Sequence, residues 1–144
     1  MIYFVIGPPC SGKTEFIRTT FPGAVVIDLK NYQGNLYAID EDTVKDSYLK
    51  AKAALEYAVR KYPERQIVLE HTLLKRKRRK MYIDAVRKYT DKPISCYVIQ
   101  PDKDTYREFC RKRKIDPGMT GASLFEMPEK EEGFDNVFVI RPEI

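Results

Sequence analysis

Short apolar runs alternate with amphipathic stretches along the whole chain. "IYFVI" (2–6) is apolar at every position, as expected of a parallel strand covered on both faces. Further strands are predicted at "AVVID" (24–28), "QIVLEHT" (66–72), "ISCYVIQ" (94–100) and "NVFVI" (136–140). A helix is expected from Lys13 to about Thr20, where Phe21-Pro22-Gly23 stops it. A long one follows from about Glu41 to Lys61, with Leu49, Ala53, Leu55 and Ala58 at helical spacing. The next runs from about Lys75 to Tyr89, with Met81, Ile83, Ala85 and Val86 inward, and the last from Pro101-Asp102 to about Lys114. "LKNYQGN" reads as a loop, and residues 115–133, with their prolines, glycines and acids, read as a mobile loop of little structure. Strands alternating with helices predict an α/β fold, a three-layer sandwich around a five-stranded, mainly parallel sheet.

The link between the first strand and first helix carries chemistry. "GPPCSGKT" (7–14) has the spacing G-x-x-x-x-G-K-[ST] between a strand and a helix, the context a phosphate-binding loop requires. Gly7 and Gly12 admit backbone shapes that side chains block, so that consecutive amide N–H groups of the loop and the helix N-terminus can face phosphate oxygens. The whole segment, Gly7, Pro8, Pro9, Cys10, Ser11, Gly12, Lys13 and Thr14, is therefore assigned to the nucleotide. Lys13 supplies a point charge to the β- and γ-phosphates, and the Thr14 hydroxyl is placed to ligate magnesium. ATP or another nucleoside triphosphate with Mg²⁺ is the implied cofactor.

The chain has 144 residues and a formal net charge of +5, enough for a single domain spanning 1–144. No apolar run approaches the ~20 residues of a membrane span, and no targeting segment is expected, so a cytosolic location without membrane contact is predicted. The three cysteines, Cys10, Cys96 and Cys110, lack metal-ligand spacing, which argues against zinc and against disulfides. Cys96 reads as a buried strand residue, and Cys10 as a thiol facing positive backbone dipoles. Basic charge is clustered in "KRKRRK" (75–80) and "REFCRKRK" (107–114), a pattern that suits a polyanion, while "EMPEKEEGFD" is acidic. No strand ends in the Asp-Glu pair of a motor ATPase, and the N-K-x-D motif of a GTPase is absent, which leaves a small phosphotransferase. Such an enzyme closes basic residues over the phosphates and excludes water.

Beyond the phosphate loop, "IVLEHTLLKRKRR", "PDKDTYREFCRKR" and "FEMPEKEEGFDNVFVI" occur in the order seen in polynucleotide 5′-hydroxyl kinases. The chain resembles that P-loop kinase family, which neighbours the zeta-toxin and AAA-type small kinases. The resemblance implies a lid over about 107–133, a general base after the second strand, and the 5′-hydroxyl end of a nucleic acid as acceptor. Asp28 is the acid in that region, at the carboxyl end of a strand expected beside the phosphate-loop strand. "IDLKNYQ" replaces the family's usual Asn-Arg-Asp approach, and an ungapped alignment from Pro22-Gly23 puts the base position on Lys30. Glu70 is the alternative base or a magnesium ligand; His71, the only histidine, is either structural or in contact with the acceptor.

Arg107 and Arg111, four apart on one helical face, match the family's lid arginines, with Arg113 as a further donor-side residue. Arg78 and Arg79 match its paired arginines and are expected on the substrate. Tyr32, Tyr37 and Phe125 are candidates for stacking on bases, and Phe125 with Met127-Pro128 for the adenine side. Two alternatives stay open: a kinase of a nucleotide, nucleoside or other small metabolite, and a nucleotide-binding regulatory module with weak hydrolysis.

Overall fold

The computed structural model describes residues 1–32 and 41–143; Tyr37 lies outside the described residues. Strands β1 (Ile2–Ile6), β2 (Val25–Asp28), β3 (Ile67–His71), β4 (Ile94–Ile99) and β5 (Asn136–Ile140) alternate with helices α1 (Lys13–Thr20), α2 (Glu41–Lys61), α3 (Arg76–Arg87) and α4 (Lys103–Lys112). The sheet has the order β2-β3-β1-β4-β5, and all of its strands are parallel. This is the α/β architecture around a five-stranded parallel sheet expected from the alternation of strands and helices, and it agrees with the P-loop NTPase/kinase fold that the resemblance implies.

The period-2 geometry of a strand divides β1 between two cores. Ile2, Phe4 and Ile6 face α2 and α3, packing with Leu55, Tyr82, Val86 and Phe134. Val5 faces the other way, onto Ile17 and Phe21 of the α1 layer. Covered on both sides, β1 occupies the sheet centre, with Ile2 in register with Ile67 on one side and Ile94 on the other. Each such large aliphatic side chain stabilises the fold by about 1.5–3 kcal/mol on full burial.

On α2 the buried stripe is Ala51, Leu55, Ala58 and Val59, whereas Leu49 and Ala53 face solvent. The spacing of the stripe is helical as expected, but its phase is set by the docking of α2 on β2 and α3. On α3 the buried face includes Arg79 and Tyr82 as well as Ile83, Ala85 and Val86.

Two expectations are corrected. First, β2 does not neighbour β1: β3 lies between them, so Asp28 reaches the phosphate loop only across Glu70, its register partner. Second, residues 115–133 are not structureless. They form short 3₁₀ turns at Pro117–Met119, Ala122–Leu124 and Lys130–Glu132. The segment is pinned to the β3–α3 connection, where the Glu126 amide donates to the Leu74 carbonyl at 2.7 Å. Beyond it Phe134 is buried edge-on against Phe4, 5.6 Å between centroids, which carries the chain into β5. The high Pro/Gly content hides these anchors because they lie far away in the sequence.

Candidate phosphate site

β1 leads straight into the loop of residues 7–14. A Cβ on Gly7 would lie 2.6 Å from the Ile99 carbonyl oxygen, so the loop can leave β1 beside the end of β4 only without a side chain. Gly12, at φ +102°, turns the loop into α1 from the left-handed region where glycine is favoured. The Lys13 ammonium bends back over the loop and donates to the Gly7 and Pro8 carbonyl oxygens, each at 3.0 Å. Burial pulls its pKa down to about 8, against the opposing pull of Glu70 and with a smaller push from Lys30. Ser11 Oγ is fully buried and has no hydrogen-bond partner among the described residues. A preformed loop holding a cation and an unsatisfied hydroxyl fits a phosphate group.

Four side chains from four elements meet beside the loop. The Thr14 hydroxyl, in the first turn of α1, donates to Glu70 Oε2 at 2.7 Å. Lys30, in the 3₁₀ turn Leu29–Tyr32 that follows β2, donates from Nζ to Thr14 Oγ1 at 3.2 Å. The same ammonium lies 3.7 Å from Asp28 Oδ2 and 3.7 Å from Glu70 Oε2. Asp28 Oδ1 accepts the Lys30 backbone N–H at 3.0 Å, which orients the carboxylate. Two carboxylates thus face two ammonium groups. Thr14, Glu70 and Asp28 form a hard-oxygen set suited to Mg²⁺, and Thr14 and Glu70 are the residues that would hold it, but a lysine ammonium already stands among those oxygens.

Of the two roles open to His71, structural or in contact with the acceptor, the structure supports the first. Its ring is buried, Nδ1 accepts the Leu73 N–H at 3.2 Å, and Nε2 lies 2.9 Å from Tyr82 Oη. Tyr82 in turn donates to the Tyr48 carbonyl at 2.8 Å. Since Nδ1 accepts, the proton sits on Nε2 and points at Tyr82. Every polar position of the ring is used internally, so His71 is a structural residue. Burial first, then the nearby Lys13 and Arg78 charges, hold its pKa well below the usual 6.5. The native state therefore stays unprotonated while the unfolded chain takes up a proton below pH ~6.5, and stability falls as pH drops through that value. Against His71→Gln, the wild-type unfolding free energy is expected to decline by up to about 1.4 kcal/mol more per pH unit between pH 6 and 5. Parallel denaturation curves for the two proteins across this range would refute the assignment.

The two expected lid arginines part company on α4. Asp102 caps α4 by accepting the Thr105 amide at 2.8 Å, and the inward face of the helix is Thr105, Tyr106 and Cys110. Arg107 and Arg111 are each 71% exposed; Arg107 lies 3.7 Å from Asp104 and also lines a cavity beside Pro8, whereas Arg111 is held in a two-armed pair with Glu108. Arg113, past the helix end, is exposed as well.

The basic run is also divided by the fold. Arg79 is fully buried and grips Glu132 with two hydrogen bonds, Nε–Oε1 at 2.7 Å and Nη2–Oε2 at 3.1 Å, while Nη1 donates to the Leu73 carbonyl at 2.9 Å. It is a tether for the acidic segment and does not reach the substrate side. Arg76 pairs with Glu129 and Glu132, and Lys80 with Asp84. Lys75, Lys77 and Arg78 have no acidic partner within 4 Å among the described residues. Arg78 lies half-buried with its guanidinium 5.3 Å above the Tyr48 ring. Tyr32 packs partly buried against the main core, and so does Phe125, whose ring faces the Arg79 guanidinium at 6.0 Å.

A family model described as an AAA domain matches residues 2–129. The chain belongs to this AAA domain family. Among solved structures, Kti12 of Chaetomium thermophilum, crystallised in complex with ADP-AlF3, superposes with a TM-score of 0.73 at 16% identity, covering 98% of this chain and 89% of Kti12. A candidate kinase from Chloroflexus aurantiacus gives 0.70 at 10% identity, covering 97% and 84%. The PezAT toxin-antitoxin system of Streptococcus pneumoniae gives 0.66 at 16% identity, covering 98% and 66%. A comparison with curated proteins found no match. Among the described residues of this AAA domain, no helix is long and apolar enough to cross a membrane.

Three features at the AAA-domain site escaped sequence reading. Lys30 was visible only as an alignment position. Tyr106 donates its hydroxyl to the Pro9 carbonyl at 2.6 Å and so ties α4 to the phosphate loop. A cavity of about 440 Å³ opens beside Pro8, between Gln100, Tyr106, Arg107 and Phe125; Phe125 lines it, but Met127 and Pro128 do not. Cys10, at φ +69°, is buried in the loop near Cys110 of α4, whose own thiol is pushed up by burial and by Cys10.

Proposed function

We propose that this AAA domain is a phosphotransferase that moves the γ-phosphate of ATP, or of another nucleoside triphosphate, to a hydroxyl, and that its acceptor is the 5′-hydroxyl end of a nucleic acid. The observation that supports this reading is the position of Asp28, an oriented carboxylate one strand from the loop and joined to it through Glu70, Lys30 and Thr14. Lys13 and the loop bind the donor phosphates. Asp28 Oδ1 is engaged by backbone, so Oδ2 accepts the proton of the attacking hydroxyl. Magnesium, when bound at Thr14 and Glu70, neutralises phosphate oxygens. Arg78, stacked on Tyr48 and without an acidic partner among the described residues, and Arg107, which lines the cavity beside Pro8, are the guanidinium groups offered to the transferring phosphate. Lys75 and Lys77, exposed on the same turn, supply salt-sensitive attraction to a strand.

A second reading, a regulatory nucleotide-binding module, is favoured by the self-paired lid arginines and by the likeness to the ADP-AlF3 complex of Kti12. Incubation with γ-labelled ATP and Mg²⁺ separates the two. The acceptors are a 5′-hydroxyl oligonucleotide, its 5′-phosphorylated control, and a panel of nucleosides and nucleotides. The expected result is label on the 5′-hydroxyl strand alone, weakened by salt and reduced at least ~100-fold in Asp28→Asn. Label only on a small acceptor would reassign the substrate. Binding of ATP without transfer to any acceptor would select the regulatory module.

A further inference from the structure

Lys30 is the one cation of the site that no phosphate-loop motif predicts. Its ammonium is not a loose surface charge: it is held at 3.2 Å by the Thr14 hydroxyl and at 3.7 Å by a carboxylate oxygen on each side, from Asp28 and Glu70. These are the same three oxygen donors that suit a divalent ion. Thr14 Oγ1 is itself engaged on both sides, donating to Glu70 while it accepts from Lys30. An ammonium among those oxygens and a divalent ion bound to them exclude each other, both sterically and by like-charge repulsion. Glu70 cannot turn away to offer other oxygens, because its side chain is only 5% exposed, whereas Lys30 is 45% exposed and has room to swing out.

We infer that Lys30 is a tethered cation occupying the divalent-metal position beside the phosphate loop, so that the protein binds a nucleoside diphosphate without a metal ion and admits one only when Lys30 moves aside. The inference rests on the nucleotide reading of the loop. A lysine at this point has a physical rationale. A bound polyphosphate needs positive charge on the side of its oxygens away from Lys13. The chain supplies that charge two residues beyond Asp28, where the Lys30 backbone also orients the carboxylate. Lys30 is thus a positioning residue for both the phosphate and Asp28.

Two measurements test this, each on wild type and Lys30→Met. The first is Mn²⁺ binding in the absence of nucleotide, followed by the loss of the free-ion electron paramagnetic resonance signal. Lys30→Met is expected to bind Mn²⁺ at least about tenfold more tightly than wild type. Equal affinities would overturn the inference. The second is ADP binding by calorimetry with excess EDTA or with Mg²⁺. Wild-type affinity is expected to change less than about threefold between the two conditions, and that of Lys30→Met by at least about tenfold. A wild type as dependent on Mg²⁺ as the variant would also overturn the inference. Absence of ADP binding in every sample would instead refute the nucleotide reading, and the Mn²⁺ contrast would still decide where Lys30 sits. Circular dichroism of both proteins excludes misfolding as the source of any difference.

Discussion

Lys13→Ala is expected to lower ADP affinity at least about 100-fold while leaving the fold intact. The ammonium makes two hydrogen bonds, both to carbonyls of the loop itself, and is drawn toward Glu70 across the site. A phosphate entering the loop replaces those carbonyls with charged oxygens. Hydrogen bonds to charged groups contribute about 1.5–3 kcal/mol each, so losing the lysine removes two or more decades of affinity. The folded state loses little, because burial already penalises this charge and the side chain has no part in either hydrophobic core. Calorimetry with ADP, alongside thermal denaturation, checks both halves. An affinity within tenfold of wild type would remove Lys13 from the donor site. The depressed pKa adds a pH signature. With a value of about 8 in the free protein, Lys13 is partly deprotonated at pH 8.5, and an arriving phosphate draws a proton onto it. Binding at that pH takes up protons, the observed heat varies with the ionisation enthalpy of the buffer, and affinity falls as pH rises further.

Arg79→Ala is expected to cost about 3–5 kcal/mol, the usual result of stranding the other member of a buried ion pair. Glu132 has a side-chain exposure of only 3% and would keep its charge with the guanidinium gone. Arg76, 3.5 Å away, is a half-exposed and weaker substitute. The loss extends to the Leu73 carbonyl, which Arg79 also satisfies, and to the attachment of the acidic segment over α3. Thermal unfolding would show a drop in Tm on the order of 10 °C. The double variant Arg79→Met/Glu132→Leu would recover most of it, because replacing both partners of a buried pair by apolar groups is often neutral. If Arg79→Ala unfolded at the wild-type temperature, the residue would return to the substrate side, where motif matching places it.

The contrast between these two residues marks how far sequence reading reaches. The place of Lys13 in the loop is legible because it depends on neighbours within eight positions: a strand, two glycines and a helix start. Arg79 was misread because its partner is 53 residues away and the basic run around it looks uniform. His71 shows the same limit, since its three contacts come from Leu73, Tyr82 and, through Tyr82, Tyr48. Arginines at the expected spacing still diverge, Arg107 lining the cavity beside Pro8 and Arg111 pairing with Glu108, because the four-residue repeat defines a face without saying which residue of it meets the loop.

By itself the sequence determined the order and type of the strands and α-helices among the described residues and the place of the phosphate loop, because strand alternation, helical spacing and glycine geometry are local properties of the chain. The tertiary structure alone decided which charges meet. The interposition of β3 between β1 and β2 sets Asp28 beside Glu70, the turn after β2 brings Lys30 onto Thr14, and packing of α3 sends Arg79 inward to Glu132. Charge pairing depends on distances of a few ångströms between segments far apart in the chain, and those distances exist only once the layers have packed.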